Sequence, residues 1–176
     1  MPFYQASSQY YVTYWDRFTP DEWKTKQHEF QKVVAAQQAL DARTVDSVEA
    51  GEEQNERDHN NRGEQTETRE FGDRVWRIAN TNGWFSWDLK ISPEQPQQLR
   101  VEVGGARGGG SMQLFVDGAP VSPEGSENSG IVTNVYVLPA DRVKGKEKVT
   151  VKFQAPDNAR GRGVASVRVL KPASNL

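Results

Sequence analysis

After residue 74 the chain alternates apolar and polar side chains in short runs broken by glycine, proline, asparagine and aspartate. A period of two is the period of a strand with one buried face. Phe85, Trp87, Leu89 and Ile91 are apolar, while Ser86, Asp88 and Lys90 between them are polar. Leu99, Val101 and Val103 repeat the pattern, as do Met112, Leu114 and Val116, then Val135 and Val137, then Val149, Val151 and Phe153, and last Val167 and Val169. Asp117-Gly118 is a pair suited to a two-residue hairpin turn with positive φ, which assigns Pro120 to an edge strand. With Val75-Trp76-Arg77-Ile78 these runs predict a mainly β chain, an antiparallel jelly-roll β-sandwich over 74–176. Trp87 shares the parity of Phe85, Leu89 and Ile91 and belongs to the core. Trp84, placed just before that strand by Asn82-Gly83, faces the other way.

Two other stretches precede this one. Residues 1–40 open with Phe3, Tyr4, Tyr10, Tyr11, Val12, Thr13, Tyr14 and Trp15, a strand-like composition. Thr19-Pro20-Asp21-Glu22 then sets a hydroxyl N-cap, a proline at the first helical position and a glutamate at the third, a capping box. Trp23, Phe30, Val33, Val34 and Leu40 follow at helical spacing, so an amphipathic helix is expected through about residue 40, its stripe packed on a neighbour. This part reads as a remnant of, or linker to, a preceding catalytic region. Residues 41–73 hold eleven acids against four bases and few apolar side chains. Such a stretch cannot order itself alone, and the expectation is an acidic loop or linker packed on the sandwich.

Composition narrows the function classes. The chain has no cysteine, which excludes disulfides, thiolate zinc sites and cysteine nucleophiles. A formal net charge of −2 removes the broad electrostatic case for a nucleic-acid partner. No run approaches the ~20 apolar residues of a membrane helix. Met1-Pro2-Phe3-Tyr4-Gln5 lacks the cationic and apolar regions of a secretion signal, so none is read there.

One cluster could carry chemistry. Glu52 through Asn61 packs carboxylates, an imidazole and amides into ten positions. Glu56 and Asp58 with His59 could form an acid–base pair or a hard-cation site. Glycosidase carboxylates, however, stand ~5–9.5 Å apart across a sugar, a separation that neighbouring loop residues serve poorly. The calcium-loop spacing is also missing. A hydrogen-bonded structural loop is therefore favoured, with no catalytic residue, metal or cofactor assigned. The glycine-rich segment 104–110 lacks the Lys-Ser/Thr ending of a phosphate loop and reads as a hairpin loop. Aromatic faces remain. A sandwich that stacks sugars needs exposed rings beside polar groups, and Trp84 and Tyr136, with Asn134 and Asn60, are the carbohydrate-binding candidates.

The run Ala50 to His59, then Arg77-Ile78-Ala79, then Gly83-Trp84-Phe85-Ser86-Trp87-Asp88-Leu89, resembles the C-terminal region of β-L-arabinofuranosidase-type glycoside hydrolases, family 127 and its relatives. Phe115-Val116-Asp117-Gly118, Tyr136-Val137-Leu138-Pro139, Val149 to Phe153 and Val167-Arg168 extend the similarity, and the aromatic opening resembles the segment closing the preceding β-region. Ser7-Ser8 and the glycine loop depart from it. In that family hydrolysis takes place in a large (α/α) barrel with a glutamate and a cysteine, often beside cysteine-held zinc. None of this carries over to a cysteine-free chain of 176 residues. The resemblance implies a non-catalytic C-terminal accessory domain supporting a preceding glycoside hydrolase catalytic domain, outside the cytoplasm. The alternative is a carbohydrate-binding module for plant-type, arabinose-containing glycans.

Overall fold

The computed structural model describes residues 5–6, 9–10, 16–93, 95–104, 112–128 and 132–172. The elements in chain order are β1 (Gln5–Ala6), β2 (Gln9–Tyr10), α1 (Pro20–Arg43), β3 (Thr44–Glu49), α2 (Glu53–Asp58), β4 (Arg62–Phe71), β5 (Arg74–Lys90) and β6 (Gln97–Val103). They continue with β7 (Gln113–Val116), β8 (Ala119–Val121), β9 (Gly125–Asn128), β10 (Val132–Leu138), α3 (Ala140–Val143), β11 (Lys148–Gln154) and β12 (Val164–Leu170). The chain divides into two compact units, residues 1–39 and 40–176.

In the first unit β1 and β2 pair antiparallel, Gln5 opposite Tyr10 and Ala6 opposite Gln9. The expected aromatic strand otherwise falls outside the described residues. The helix begins as its capping box requires. The Glu22 carboxylate accepts from the Thr19 amide at 2.7 Å and hydroxyl at 2.9 Å, and the Glu22 amide donates to Thr19 Oγ1 at 3.3 Å. Those donors hold the Glu22 carboxyl below its ordinary pKa. The expected packed stripe is not seen. No residue of α1 is buried, and Trp23, Phe30 and Val33 are exposed.

The second unit is an antiparallel jelly-roll β-sandwich made from one curled sheet, in the order β8-β7-β11-β5-β12-β6-β10-β9, with β3 beside β12 and β4 beside β5. The long β5 makes the curl. Its C-terminal part pairs with β11 from Trp84 to Lys90, while its N-terminal part meets β12 only at Arg77 opposite Val164. The sheet doubles over there into two layers, β4, β5, β11, β7 and β8 against β3, β12, β6, β10 and β9. Inward side chains of both form one core that includes Phe85, Trp87, Leu89, Val151 and Phe153 from one layer and Val48, Leu99, Val101, Leu138 and Val169 from the other. Phe85, Trp87 and Phe153 meet with ring centroids 5.0–5.8 Å apart, in stacked and edge-to-face pairs. Asp117 and Gly118 both have positive φ and join β7 to β8, the terminal strand that carries Pro120.

Three expectations are corrected. Residues 41–73 are not a loop or linker but contain β3, α2 and β4, two of them strands of the sheet. Trp84 does not precede a strand; β5 runs unbroken from 74 to 90. Asn82 at φ 61° and Gly83 bend it where β4 shifts register, and a Cβ on Gly83 would stand 2.4 Å from the Gln65 carbonyl oxygen. In β10 the inward face is that of Tyr136 and Leu138, and Val135 and Val137 are only half-buried on the other side.

Candidate functional site

The short helix α2 lies against β3 and β5 and holds the acidic cluster. Glu56, although in a strongly polar stretch, is buried, and its carboxylate accepts two parallel bonds from the Arg77 guanidinium, Nε to Oε1 and Nη2 to Oε2, both 2.6 Å. Both carboxylate oxygens are thus engaged by one fork, the strongest geometry for such a pair. His59 is also enclosed: Nδ1 lies 2.7 Å from the Asn55 carbonyl oxygen and Nε2 3.1 Å from Asp46 Oδ1. Asp46 in turn accepts from the Lys90 amide at 2.6 Å, tying β3 to β5. Asp58 is exposed and takes a bond from Gln54 at 2.8 Å. Glu56, Asp58 and His59 therefore do not converge on one opening, and no group of carboxylates and histidines among the described residues is arranged to hold a metal ion. The cluster is a clamp that fixes α2 on the sheet.

The four carbohydrate candidates separate into two places. Tyr136 is only 5% exposed and sits in the core, so its ring is not presented to a sugar. Burial raises its hydroxyl pKa, opposed by a hydrogen bond with Asn134, which shares its inward face. Trp84 and Asn60 lie instead on the outer face of the β5 layer. Asn60, at φ 52° just after α2, donates to Asp88 Oδ2 at 2.8 Å. Arg62 reaches the same oxygen at 3.4 Å, and Thr150 donates to Asp88 Oδ1 at 2.8 Å. Burial pushes the Asp88 carboxyl up, but these donors and the Arg62 charge outweigh it, and its pKa is lowered. The outcome is a preorganised row of polar groups on one side of the layer.

Trp84 closes the other end of that row. Gln154 and Glu64 are its cross-strand partners on the two neighbouring strands, and the register of β11 sets Lys152 between Ser86 and Phe115. Residues opposite one another in a sheet share a face. The Lys152 ammonium therefore lies over the Trp84 ring, 4.8 Å from its centroid, and 5.9 Å from that of Phe115. All three side chains are half-buried. Aromatic faces with a cation and fixed donors beside them can seat a sugar ring and orient its oxygens.

Residues 39–170, the whole sandwich, match the profile of a family of unknown function, DUF6805. The chain belongs to the DUF6805 family. No curated protein matches it. Among solved structures it is similar to the native structure of a family 35 carbohydrate-binding module from Clostridium thermocellum, at TM-score 0.48 and 12% identity over 64% of this chain and 93% of that one.

Sequence reasoning alone did not find Phe115 and Lys152 as neighbours of Trp84 in this DUF6805 domain. Their parity was readable, since Phe115 opposes the inward Leu114 and Val116 and Lys152 opposes Val151 and Phe153. The pairing of β11 with both β5 and β7 was not, because that register joins strands distant in sequence. Arg77 and Asp46 were missed for the same reason.

Proposed function

We propose that this DUF6805 domain is a non-catalytic glycan-binding module, with the outer face of the β5 layer around Trp84 as its contact surface. The observation that carries the proposal is the Trp84, Lys152 and Phe115 array beside the donors fixed by Asp88. Engagement of Glu56 by Arg77 and of His59 by Asp46 supports a structural role for the one cluster that suggested hydrolysis. Affinity electrophoresis against plant polysaccharides, arabinose-containing ones included, tests it. Retardation by at least one glycan is expected, lost in Trp84→Ala with the melting curve unchanged. Uniform absence of retardation overturns it.

The second reading is an accessory domain that supports a glycoside hydrolase catalytic domain of the β-L-arabinofuranosidase kind. The exposed Trp23, Phe30 and Val33 of α1 favour it, because large apolar side chains left in water suit a docking contact. On aryl β-L-arabinofuranosides the isolated chain should then show no turnover. Hydrolysis that is abolished by Glu56→Gln while that variant remains folded refutes both readings.

A further inference from the structure

A sugar seated on Trp84 meets Lys152 first, because that ammonium already lies over the indole ring. An aromatic face attracts a cation through its quadrupole but offers the N–H groups no lone pair. Two acids close to Lys152 are already committed elsewhere. Asp88 accepts from Asn60, Arg62 and Thr150, and Asp117 pairs with Lys146 at 2.7 Å and accepts from the Thr150 amide at 2.8 Å. Glu64 stands across from Trp84 on β4, the far side from β11. Among the described residues no carboxylate forms an ion pair with Lys152. Lys90 and Lys148, opposite each other at the far end of the same face, add to its positive character.

A neutral ring stacking here has to displace the ammonium from both aromatic faces. A ring that carries a carboxylate engages it instead, through a charge-assisted hydrogen bond made in the partly dehydrated space between Trp84 and Phe115. Resting on the glycan-binding reading, we propose that this face selects uronate sugars, with Lys152 as the residue that determines the preference. One uncompensated ammonium matches one carboxylate per sugar. Glu64 and Asp88 on the same face disfavour chains with a denser charge, such as heavily sulfated glycans.

The test uses the full chain with polygalacturonate, the same polymer after carboxyl reduction to neutral galactan, and dextran sulfate. Titration calorimetry at physiological salt should show binding to polygalacturonate at least about tenfold tighter than to the reduced polymer, and no comparable binding to dextran sulfate. Lys152→Met should abolish that preference while leaving the melting temperature near wild type, since the side chain lies on the outer face. Lys152→Arg should restore it in part. Equal or tighter binding of the reduced polymer, equal binding of dextran sulfate, or a preference untouched by Lys152→Met overturns the inference. If only neutral glycans bind, and Trp84→Ala abolishes that binding, the inference fails and the proposed function stands. If no polymer binds, both fail.

Discussion

Removing the Glu56 carboxylate should destabilise the sandwich severely without touching any ligand. The side chains of Arg77 and Glu56 are 12% and 5% exposed, and their two 2.6 Å bonds link α2 to the N-terminal part of β5. In Glu56→Gln the shape is kept but the guanidinium is left charged, enclosed and without its counter-charge. Removing one partner of such a pair costs about 3–5 kcal/mol, most of it the penalty of the stranded charge. Against a total stability of about 5–15 kcal/mol for a domain, that is a large fraction. For a unit of this size, at about 3–4 °C per kcal/mol, the melting temperature should fall by roughly 10–20 °C. The assay is urea denaturation followed by tryptophan fluorescence on wild type, Glu56→Gln, Glu56→Leu, Arg77→Met and the combination Glu56→Leu with Arg77→Met. The combined variant should recover at least about 2 kcal/mol relative to the sum of the single losses, because an apolar pair leaves nothing charged in the core. A Glu56→Gln protein as stable as wild type would contradict a structural role for the pair, and the more so if it had lost a hydrolytic activity.

Asp88 gives an acid-side prediction. Its carboxyl is held below the ordinary range, so its stabilisation is complete above the unfolded value of about 3.9 and is lost as the pH falls through the folded value. The gap in urea midpoint between wild type and Asp88→Asn should shrink below about pH 4 and stay constant above about pH 5; a gap independent of pH counts against the network. Tyr136 gives the opposite limb. Its pKa is raised by burial, so its contribution is complete below the unfolded value of about 10 and is lost as the pH rises through the folded value. Tyr136→Phe should lose less stability than wild type between pH 9 and pH 11, by the same measurement, as an expectation placed around that ~10 value. Gly83→Ala would set a methyl 2.4 Å from the Gln65 carbonyl and 2.9 Å from that of Asn80. Because both are backbone atoms, it should cost at least about 1–3 kcal/mol, read as a lowered melting temperature.

What could be read in advance follows the range of the interactions involved. The capping box at Thr19 and the Asp117-Gly118 turn are local devices, satisfied within four residues, and both form as the sequence implies. The alternating runs of β6, β7, β11 and the C-terminal part of β5 each bury one face, and period-2 arithmetic finds that face without knowing the partner strand. Residues 41–73 resist such arithmetic. They are ordered by groups far along the chain: Glu56 by Arg77, Glu67 by Arg160, Glu49 by Arg168, and β3 as a whole by β12. Four acids of that stretch, Asp41, Glu49, Glu56 and Glu67, pair with arginines after residue 74, so its acid excess is visible as a composition but its pairing is not. β4, an edge strand exposed along most of its length, carries no apolar alternation to announce it. At the site, parity separated Trp84 from the core. Tyr136 misled because both faces of β10 carry apolar residues, and only its neighbours decide which is inward.

On the proposed function a ligand meets this domain on the outer face of the β5 layer. Backbone amide chemical shifts recorded during titration with a glycan that retards the protein test it most directly. The perturbed residues should cluster at Trp84, Ser86, Arg62, Phe115 and Lys152, with α2 and the core strands β6 and β10 unmoved. Perturbations centred on Glu56, Asp58 and His59, or on the loop between β11 and β12, would contradict it.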